Sequence, residues 1–276
     1  MKILQRIGLY FAVAMVAFFA LFPFYWALNT SFKTEDEMFQ RATYLPRNPT
    51  IENYQYVFRD STFTDALRNS VVVSGATTFL ALTTGSFAAY ALGRLRFRGR
   101  TVLLYVMLSM TMFPQISILS GLYTIVREIG VFGTPMALIV TYPVFTLPFT
   151  IWVLTTFFRG LPAEIEQAAI VDGATSFQTF RMILLPLTAP ALVTTGLLAF
   201  VRSWNEYLFA LNFTITEPSA KTAPVAIAQF SGSVARQEPI AEIMAAAMVV
   251  TIPLVVLVLI FQNRIVAGLT AGAVKG

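Results

Sequence analysis

The densest group of polar side chains inside an apolar part of the chain lies in the stretch AFVRSWNEYLFALNF. Arg202 and Glu206 are spaced i, i+4, so on one helix face they can neutralise each other. The alternative is a polar patch on the route of a hydrophilic solute, with Asn205 as an amide and Trp204 and Tyr207 as flat surfaces for sugar rings. Because ionisable groups in hydrocarbon are costly unless paired or facing water, both interpretations stay open.

The residue types that most enzymes use are absent from this chain. Its 276 residues include no histidine and no cysteine, which excludes thiol nucleophiles, imidazole bases, disulfides and the usual zinc and haem ligands. The sequence also has no G-x-x-x-x-G-K-S/T loop, so it cannot bind and hydrolyse ATP by that route. We therefore expect no catalytic residue, no cofactor and no metal ion in this chain.

The composition is that of a membrane protein. Hydrophobic residues make up 57% and charged residues 12% of the chain, whereas about a quarter of the residues in a soluble domain are charged. The net charge of +5 is small and spread among loops, which argues against a nucleic-acid partner. Six segments reach the length of about 20 apolar residues that a membrane-spanning helix needs: 7–28, 69–93, 102–126, 134–158, 188–213 and 241–262. The sequence predicts one all-α transmembrane domain over residues 1–276, a polytopic protein with six transmembrane helices.

Charge sets the expected orientation. The loop RLRFRGR at 94–100 is a dense basic cluster, and basic loops favour the cytoplasmic side. The N-terminus, the loop 159–187 and the tail 263–276 are then cytoplasmic, and the loop 29–68 is external. That external loop either places its aromatic residues at the membrane interface or docks an external partner.

In the second span, small residues recur every four positions and predict a packing seam, within the chain or toward another subunit: Ala81, Gly85, Ala89 and Gly93.

Two other classes of membrane protein remain as alternatives. A membrane-embedded enzyme acting on lipid-linked substrates would use Arg202, Glu206 and Asp172 as polar groups. This topology puts them on different sides of the bilayer, whereas acid–base catalysis needs groups within hydrogen-bond reach. An ion-coupled carrier normally shows repeat-related halves and paired carboxylates at mid-membrane, and neither is evident.

The longest cytoplasmic loop contains EQAAIVDGATSFQTFRMILLP, which predicts a helix, an elbow and a second helix. Pro162 suits a first helical turn, and Gly173 permits a sharp change of direction. Thr175 or Ser176 can cap the second helix. That helix presents one apolar side: Phe177, Phe180, Ile183 and Leu184. Such a hairpin is either a connector or a knob for a cytoplasmic partner, and the glycine elbow favours the knob.

These residues carry a family resemblance. Ala168, Ala169, Gly173, Ile183, Leu185 and Pro186, with DGA at 172–174, resemble the signature loop of permease subunits in bacterial binding-protein-dependent ABC importers. Further matches are SFKTEDEMF, PTIENYQYVF, YALGRLRFRGR, SWNEYLFAL and the tail NRIVAGLTAGAVKG. Together they look like the maltose-type second permease of the carbohydrate branch.

The resemblance implies a type I importer permease fold and a non-catalytic transport subunit in the bacterial inner membrane. Its coupling helix would seat in an ATPase subunit through Glu166, Gln167, Ala168, Ala169, Asp172, Gly173 and Ala174. In such families the tail also reaches the ATPase dimer, here through Gly272, Lys275 and Gly276. The acidic residue that usually opens the signature falls on Gln167, so its contact becomes a hydrogen bond or moves to Glu166.

The same resemblance implies the partners. They are a second permease subunit, an ATPase dimer that binds ATP and Mg²⁺, an extracellular or periplasmic sugar-binding protein, the sugar itself and membrane lipid.

Overall fold

The computed structural model describes the backbone of residues 2–40, 43–230 and 239–273, and the side chains of 5–38, 43–230 and 239–262. All regular structure in these ranges is helical. The first half contains α1 (Lys2–Ser31), α2 (Glu35–Gln40), α3 (Glu52–Arg59), α4 (Ser61–Arg94), α5 (Arg100–Ser109), α6 (Gln115–Glu128) and α7 (Pro135–Thr141). The second half contains α8 (Pro143–Gly160), α9 (Ala163–Val171), α10 (Ser176–Gln178), α11 (Leu185–Leu187), α12 (Ala189–Trp204), α13 (Leu208–Phe213), α14 (Ala223–Ala228) and α15 (Ile240–Ala273).

Four segments in the described ranges are long and apolar enough to cross a membrane: Gln5–Ser31, Ser61–Arg94, Pro135–Gly160 and Ile240–Gln262. Two bent pairs raise the number to six if each pair is one span. Arg100–Met112 and Gln115–Glu128 meet at 99°, and Ser176–Leu187 and Ala189–Trp204 meet at 75°.

The bent pairs differ from the continuous segments 102–126 and 188–213 that hydropathy predicts. Pro114 is extended, with φ −60° and ψ 129°, and separates the short 3₁₀ turn Met110–Met112 from α6. Pro186 and Pro190 flank the second bend, and Asn205 then ends α12, so α13 is a separate helix. Hydropathy averages over a window and does not register such breaks.

The chain forms two compact units, the first made of Met1–Thr64 with Ala226–Pro253 and the second of Asp65–Val225 with Leu254–Gly276. In the first unit, side-chain amides and carboxylates organise the segment that follows α1. Asn53 Nδ2 donates to Ser31 O at 2.9 Å and to Lys33 O at 2.8 Å. The buried Glu37 carboxylate accepts from Thr43 Oγ1 at 2.7 Å and from Arg47 N at 3.0 and 3.1 Å. The predicted external loop is therefore a folded segment with its own hydrogen-bond network.

In the second unit, α4 packs closely against α8. Ala81 and Ala89 are fully buried. A Cβ on Gly85 would lie 2.8 Å from Thr150 Cγ2, and a Cβ on Gly93 would lie 3.2 Å from Phe158 Cβ. The predicted packing seam of small residues thus serves a contact within the chain.

Candidate functional site

The loop between α8 and α12 contains the elbow that the sequence predicts. Helix α9 ends at Val171, and Gly173, which follows the C-cap Asp172, has a φ of +80°, a conformation that favours glycine. Gly173 N donates to Ile170 O at 3.0 Å, and Ala174 N donates to Ala169 O at 2.9 Å. This pair of hydrogen bonds is the Schellman arrangement, which satisfies the last carbonyls of α9 and reverses the chain.

The second half of the elbow begins with a capping box on Thr175. Gln178 N donates to Thr175 Oγ1 at 3.3 Å, and Thr175 N donates to Gln178 Oε1 at 2.8 Å. Thr175, and not Ser176, is thus the cap. The helix does not stay regular, because Thr179–Leu184 forms a π-helical turn before α11. Hydrophobic spacing gave no sign of this turn.

The apolar side of the second helix is only partly buried. Phe180 and Leu184 are buried, Ile183 is half-buried, and Phe177 is 57% exposed although its ring stacks on Phe87. Of the predicted apolar side, Phe180 and Leu184 are therefore the two residues that pack inside the protein.

Helix α9 divides its signature residues between two faces. Gln167, Ala168 and Val171 are exposed, Val171 by 86% of its surface, whereas Ala169 is 3% exposed. Of the two small residues expected to admit a partner, only Ala168 is on the outside. Asp172 and Gly173 are exposed at the tip, whereas Glu166 and Ala174 are half-buried, so four of the seven predicted coupling residues are exposed: Gln167, Ala168, Asp172 and Gly173.

Glu166 points back into the chain. Its Oε2 lies 3.8 Å from Arg94 Nε, and its Oε1 accepts from Tyr90 OH at 3.2 Å. Arg94 Nη2 also donates to Leu161 O at 2.8 Å. Sequence reasoning placed Arg94 in the basic cluster as an orientation signal and missed this contact, since its partners Leu161 and Glu166 lie 67 and 72 positions away.

Of the two interpretations of Arg202 and Glu206, the structure does not show the one in which they pair with each other. Helix α12 ends at Trp204, so the two residues do not share one helical phase. Glu206 accepts instead from Tyr142 OH at 2.8 Å, Phe209 N at 2.9 Å and Ala210 N at 3.0 Å. The Arg202 guanidinium lies 5.3 Å from the centre of the Phe145 ring.

The other members of the predicted polar patch divide by exposure. Trp204 is 1% exposed, so its ring face is not available to a solute. Tyr207 is 41% exposed, and Asn205 is exposed with its Nδ2 donating to Val201 O at 2.8 Å. Of the tail residues, Gly272 lies within α15, and Lys275 and Gly276 lie outside the described residues.

Comparison with known proteins identifies the class. Residues 81–270 match the family of binding-protein-dependent transport system inner membrane components. The chain belongs to this family.

Two relatives align along nearly the whole chain. The trehalose transport system permease protein SugB of Mycobacterium tuberculosis is 46% identical, over 98% of this chain and 99% of SugB. The trehalose/maltose transport system permease protein MalG of Thermococcus litoralis is 41% identical, over 100% of this chain and 99% of MalG. The resemblance to maltose-type permeases is confirmed.

A solved structure supports the fold. One chain in the crystal structure of a bacterial ABC transporter involved in the import of the acidic polysaccharide alginate superposes with a TM-score of 0.80 at 22% identity, covering 94% of this chain and 96% of that chain. The fold is therefore that of a transmembrane subunit of an ABC importer.

Proposed function

We propose that this chain is the permease subunit of an ABC importer for a sugar or oligosaccharide. It forms the translocation pathway with a second permease, a binding protein delivers the sugar, and separate ATPase subunits hold ATP and Mg²⁺ and supply the energy. The chain itself performs no catalysis. Its full-length similarity to permeases named for trehalose and maltose transport supports the class of cargo.

The observation that carries the coupling mechanism is the exposed face of α9. Gln167, Ala168 and Val171 project from the outer side of a rigidly capped elbow. Ile170 and Val171 are adjacent at the end of α9 and are 63% and 86% exposed, and neighbouring exposed apolar side chains outside the spans suit a contact with a protein partner. In this mechanism α9 is the coupling helix, and closure of the ATPase pair moves the elbow and, with it, the spans.

The membrane arrangement follows from the same proposal. Each bent pair counts as one span, giving six crossings, and the elbow lies on the cytoplasmic side with both termini. The tail residues Gly272, Lys275 and Gly276 supply a second contact with the ATPase dimer. In the pathway, the exposed polar side chains that meet the sugar are Arg202, Asn205 and Tyr207. Glu206 instead connects the start of α8 to the start of α13.

The test is copurification of the chain with ATPase subunits, followed by binding-protein-dependent sugar uptake in liposomes. Val171→Asp should abolish both, because a charge at the centre of an apolar contact is left unpaired. Ile51→Asp is the matched control for copurification, since Ile51 is 60% exposed in the predicted external loop and should leave the binding of ATPase subunits unchanged. A chain that moves sugar without any ATPase subunit, or a Val171→Asp complex that assembles normally, would contradict the proposal. Thermal stabilisation of the binding protein by a panel of sugars then identifies the cargo.

A further inference from the structure

The last turns of α4 contact both arms of the elbow. The first arm is α9, before the chain reversal at Gly173, and the second arm is the helical segment from α10 to α11 after it. On the side of the first arm, Arg94 Nη2 donates to Leu161 O at 2.8 Å, and Tyr90 OH donates to Glu166 at 3.2 Å. On the side of the second arm, the Phe180 ring lies 5.0 Å from the Tyr90 ring, centre to centre. Tyr90 therefore touches both arms with one side chain.

The same end of α4 is joined to the end of α8. Arg159 Nη2 donates to Leu92 O at 3.1 Å, and the absence of a side chain at Gly93 lets Phe158 approach. The elbow is thus connected to the membrane helices by more than its two peptide connections. Side chains from α4 form a third connection, and it is the one that includes charged groups.

The Arg94 side chain is 9% exposed and that of Glu166 is 24% exposed, so their ion pair is largely shielded from water. Two charges attract each other more strongly in a shielded site than at a surface, but burial also costs desolvation, so the consequence that matters is that removal of one partner leaves the other charge uncompensated. A contact of this kind can hold an element in one orientation, which surface salt bridges rarely do.

Because Glu166 is held against α4, the orientation of the other side chains of α9 is set as well. Successive residues of an α-helix are rotated by about 100°. With Glu166 turned inward, Gln167, Ala168 and Val171 are turned away from the bundle, as their exposure shows.

We propose that Tyr90, Arg94 and Glu166 form a brace that holds the elbow on the last turn of α4, so that Glu166 is an internal positioning residue and Gln167 faces the ATPase. The inference rests on the proposed function of the elbow. In this arrangement, a displacement of the elbow reaches α4 directly through side chains, besides reaching α8 and α12 through the backbone. Glu166 then has no direct role in gripping the ATPase.

The experiment compares Arg94→Met and Glu166→Gln with Arg98→Met in the complete transporter reconstituted with its binding protein. Arg98 belongs to the same basic loop and is exposed, so it controls for loss of charge. We expect Arg94→Met and Glu166→Gln to retain the ATPase subunits but to lower the sugar transported per ATP hydrolysed about tenfold, the size of a moderate coupling between contacting residues. Arg98→Met should stay within about twofold of the parent protein.

Loss of ATPase binding in Glu166→Gln would overturn the proposal, because it would make Glu166 a direct contact. So would a transport ratio in Arg94→Met equal to that of Arg98→Met. If Arg94→Met does not assemble, Tyr90→Phe, which removes only the hydroxyl, takes its place with the same expected direction.

A second measurement separates the brace from the proposed function. The thermal unfolding midpoints of the purified chain are measured for Arg94→Met, Glu166→Gln and the double variant. If the two side chains act as one brace, the double variant should be as stable as the less stable of the two single variants. Losses of stability that add up in the double variant would refute the brace. This result holds even if the parent chain fails to bind any ATPase subunit, an outcome that would reject the proposed function alone.

Discussion

Tyr142 OH lies 2.8 Å from Oε2 of Glu206, and both side chains are buried at the junction of α8 with the loop before α13. The carboxylate also accepts the N–H groups of Phe209 and Ala210, which begin α13 and have no helical partner of their own. Glu206 therefore joins one helix to the start of another.

We expect Glu206→Ala to lower the free energy of unfolding by about 3 kcal/mol, because it removes a charged acceptor and leaves buried N–H groups unpaired. Tyr142→Phe should cost about 1 to 2 kcal/mol, since the two N–H donors remain on the carboxylate. Asn205→Ala, next to Glu206 but exposed, should change stability by less than about 0.5 kcal/mol. Unfolding in detergent, followed by circular dichroism, measures all three. Equal losses in Glu206→Ala and Asn205→Ala would contradict this account.

The elbow and the polar junction show why sequence reasoning succeeds in one place and fails in another. The hydrogen bonds around Gly173 and Thr175 join residues no more than five positions apart, so the role of these two residues can be inferred from the local sequence. Tyr142 and Glu206 are 64 positions apart, and their contact exists only once the helices have packed. The i, i+4 spacing of Arg202 and Glu206 misled because it assumed an unbroken helix.

The same distinction applies to the membrane helices. The predicted segments 7–28, 134–158 and 241–262 coincide within three residues with long apolar helices, because the length needed to cross a bilayer is a property of the local sequence. Proline can break a helix, but the bend of 99° at Pro114 and the π turn at Thr179–Leu184 depend on what packs beside them. Arg94 looked like an orientation signal because its partners in the loop are distant in sequence.

The conformation of Gly173 gives a test of the elbow itself. At φ +80° an L side chain is strained by roughly 1 to 2 kcal/mol, and no neighbouring atom lies within 4 Å to add a clash. Gly173→Pro is excluded from this conformation and also loses the hydrogen bond to Ile170 O. We expect Gly173→Pro to insert in the membrane and to abolish uptake, and Gly173→Asn to retain most uptake, because Asn tolerates the left-handed region.

Gly99 is the matched control for that experiment. It has φ +86° and equally open surroundings, but it lies in the loop between α4 and α5. Gly99→Ala should carry the same backbone strain and leave uptake within about twofold, since surface changes away from a functional contact have small effects. Normal uptake by Gly173→Pro would show that transport does not depend on the conformation of the elbow.

The stability of the protein should depend on pH through Glu37, which lies outside the spans. Burial raises the pKa of Glu37, but hydrogen bonds from Thr43 Oγ1 and Arg47 N outweigh it and hold the pKa below its ordinary value. The charged form is therefore favoured by folding. Its stabilisation is complete above the ordinary glutamate pKa and is lost as the pH falls through the lower pKa of the folded state.

We expect the difference in unfolding midpoint between the parent protein and Glu37→Gln to be largest near neutral pH and to shrink below about pH 4. Glu35→Gln is the control on the same helix, because Glu35 is exposed. A difference that stays constant down to pH 3 would show that hydrogen-bond geometry alone, and not charge, explains the role of Glu37. The profile is measured by thermal scans in detergent at matched ionic strength.

The seam between α4 and α8 gives a prediction with a designed rescue. A Cβ on Gly85 would lie 2.8 Å from Thr150 Cγ2, too close for any residue but glycine, so Gly85→Ala should cost about 1 to 3 kcal/mol. Thr150→Ser removes that methyl and keeps the hydrogen bond from Oγ1 to Thr146 O, so it should recover most of the loss. Gly75→Ala on the same helix meets no atom within 4 Å and should be neutral or stabilising by up to about 1 kcal/mol. Unfolding midpoints of the three variants and the double variant check the pattern, and a Gly85→Ala protein that Thr150→Ser makes still less stable would refute the packing.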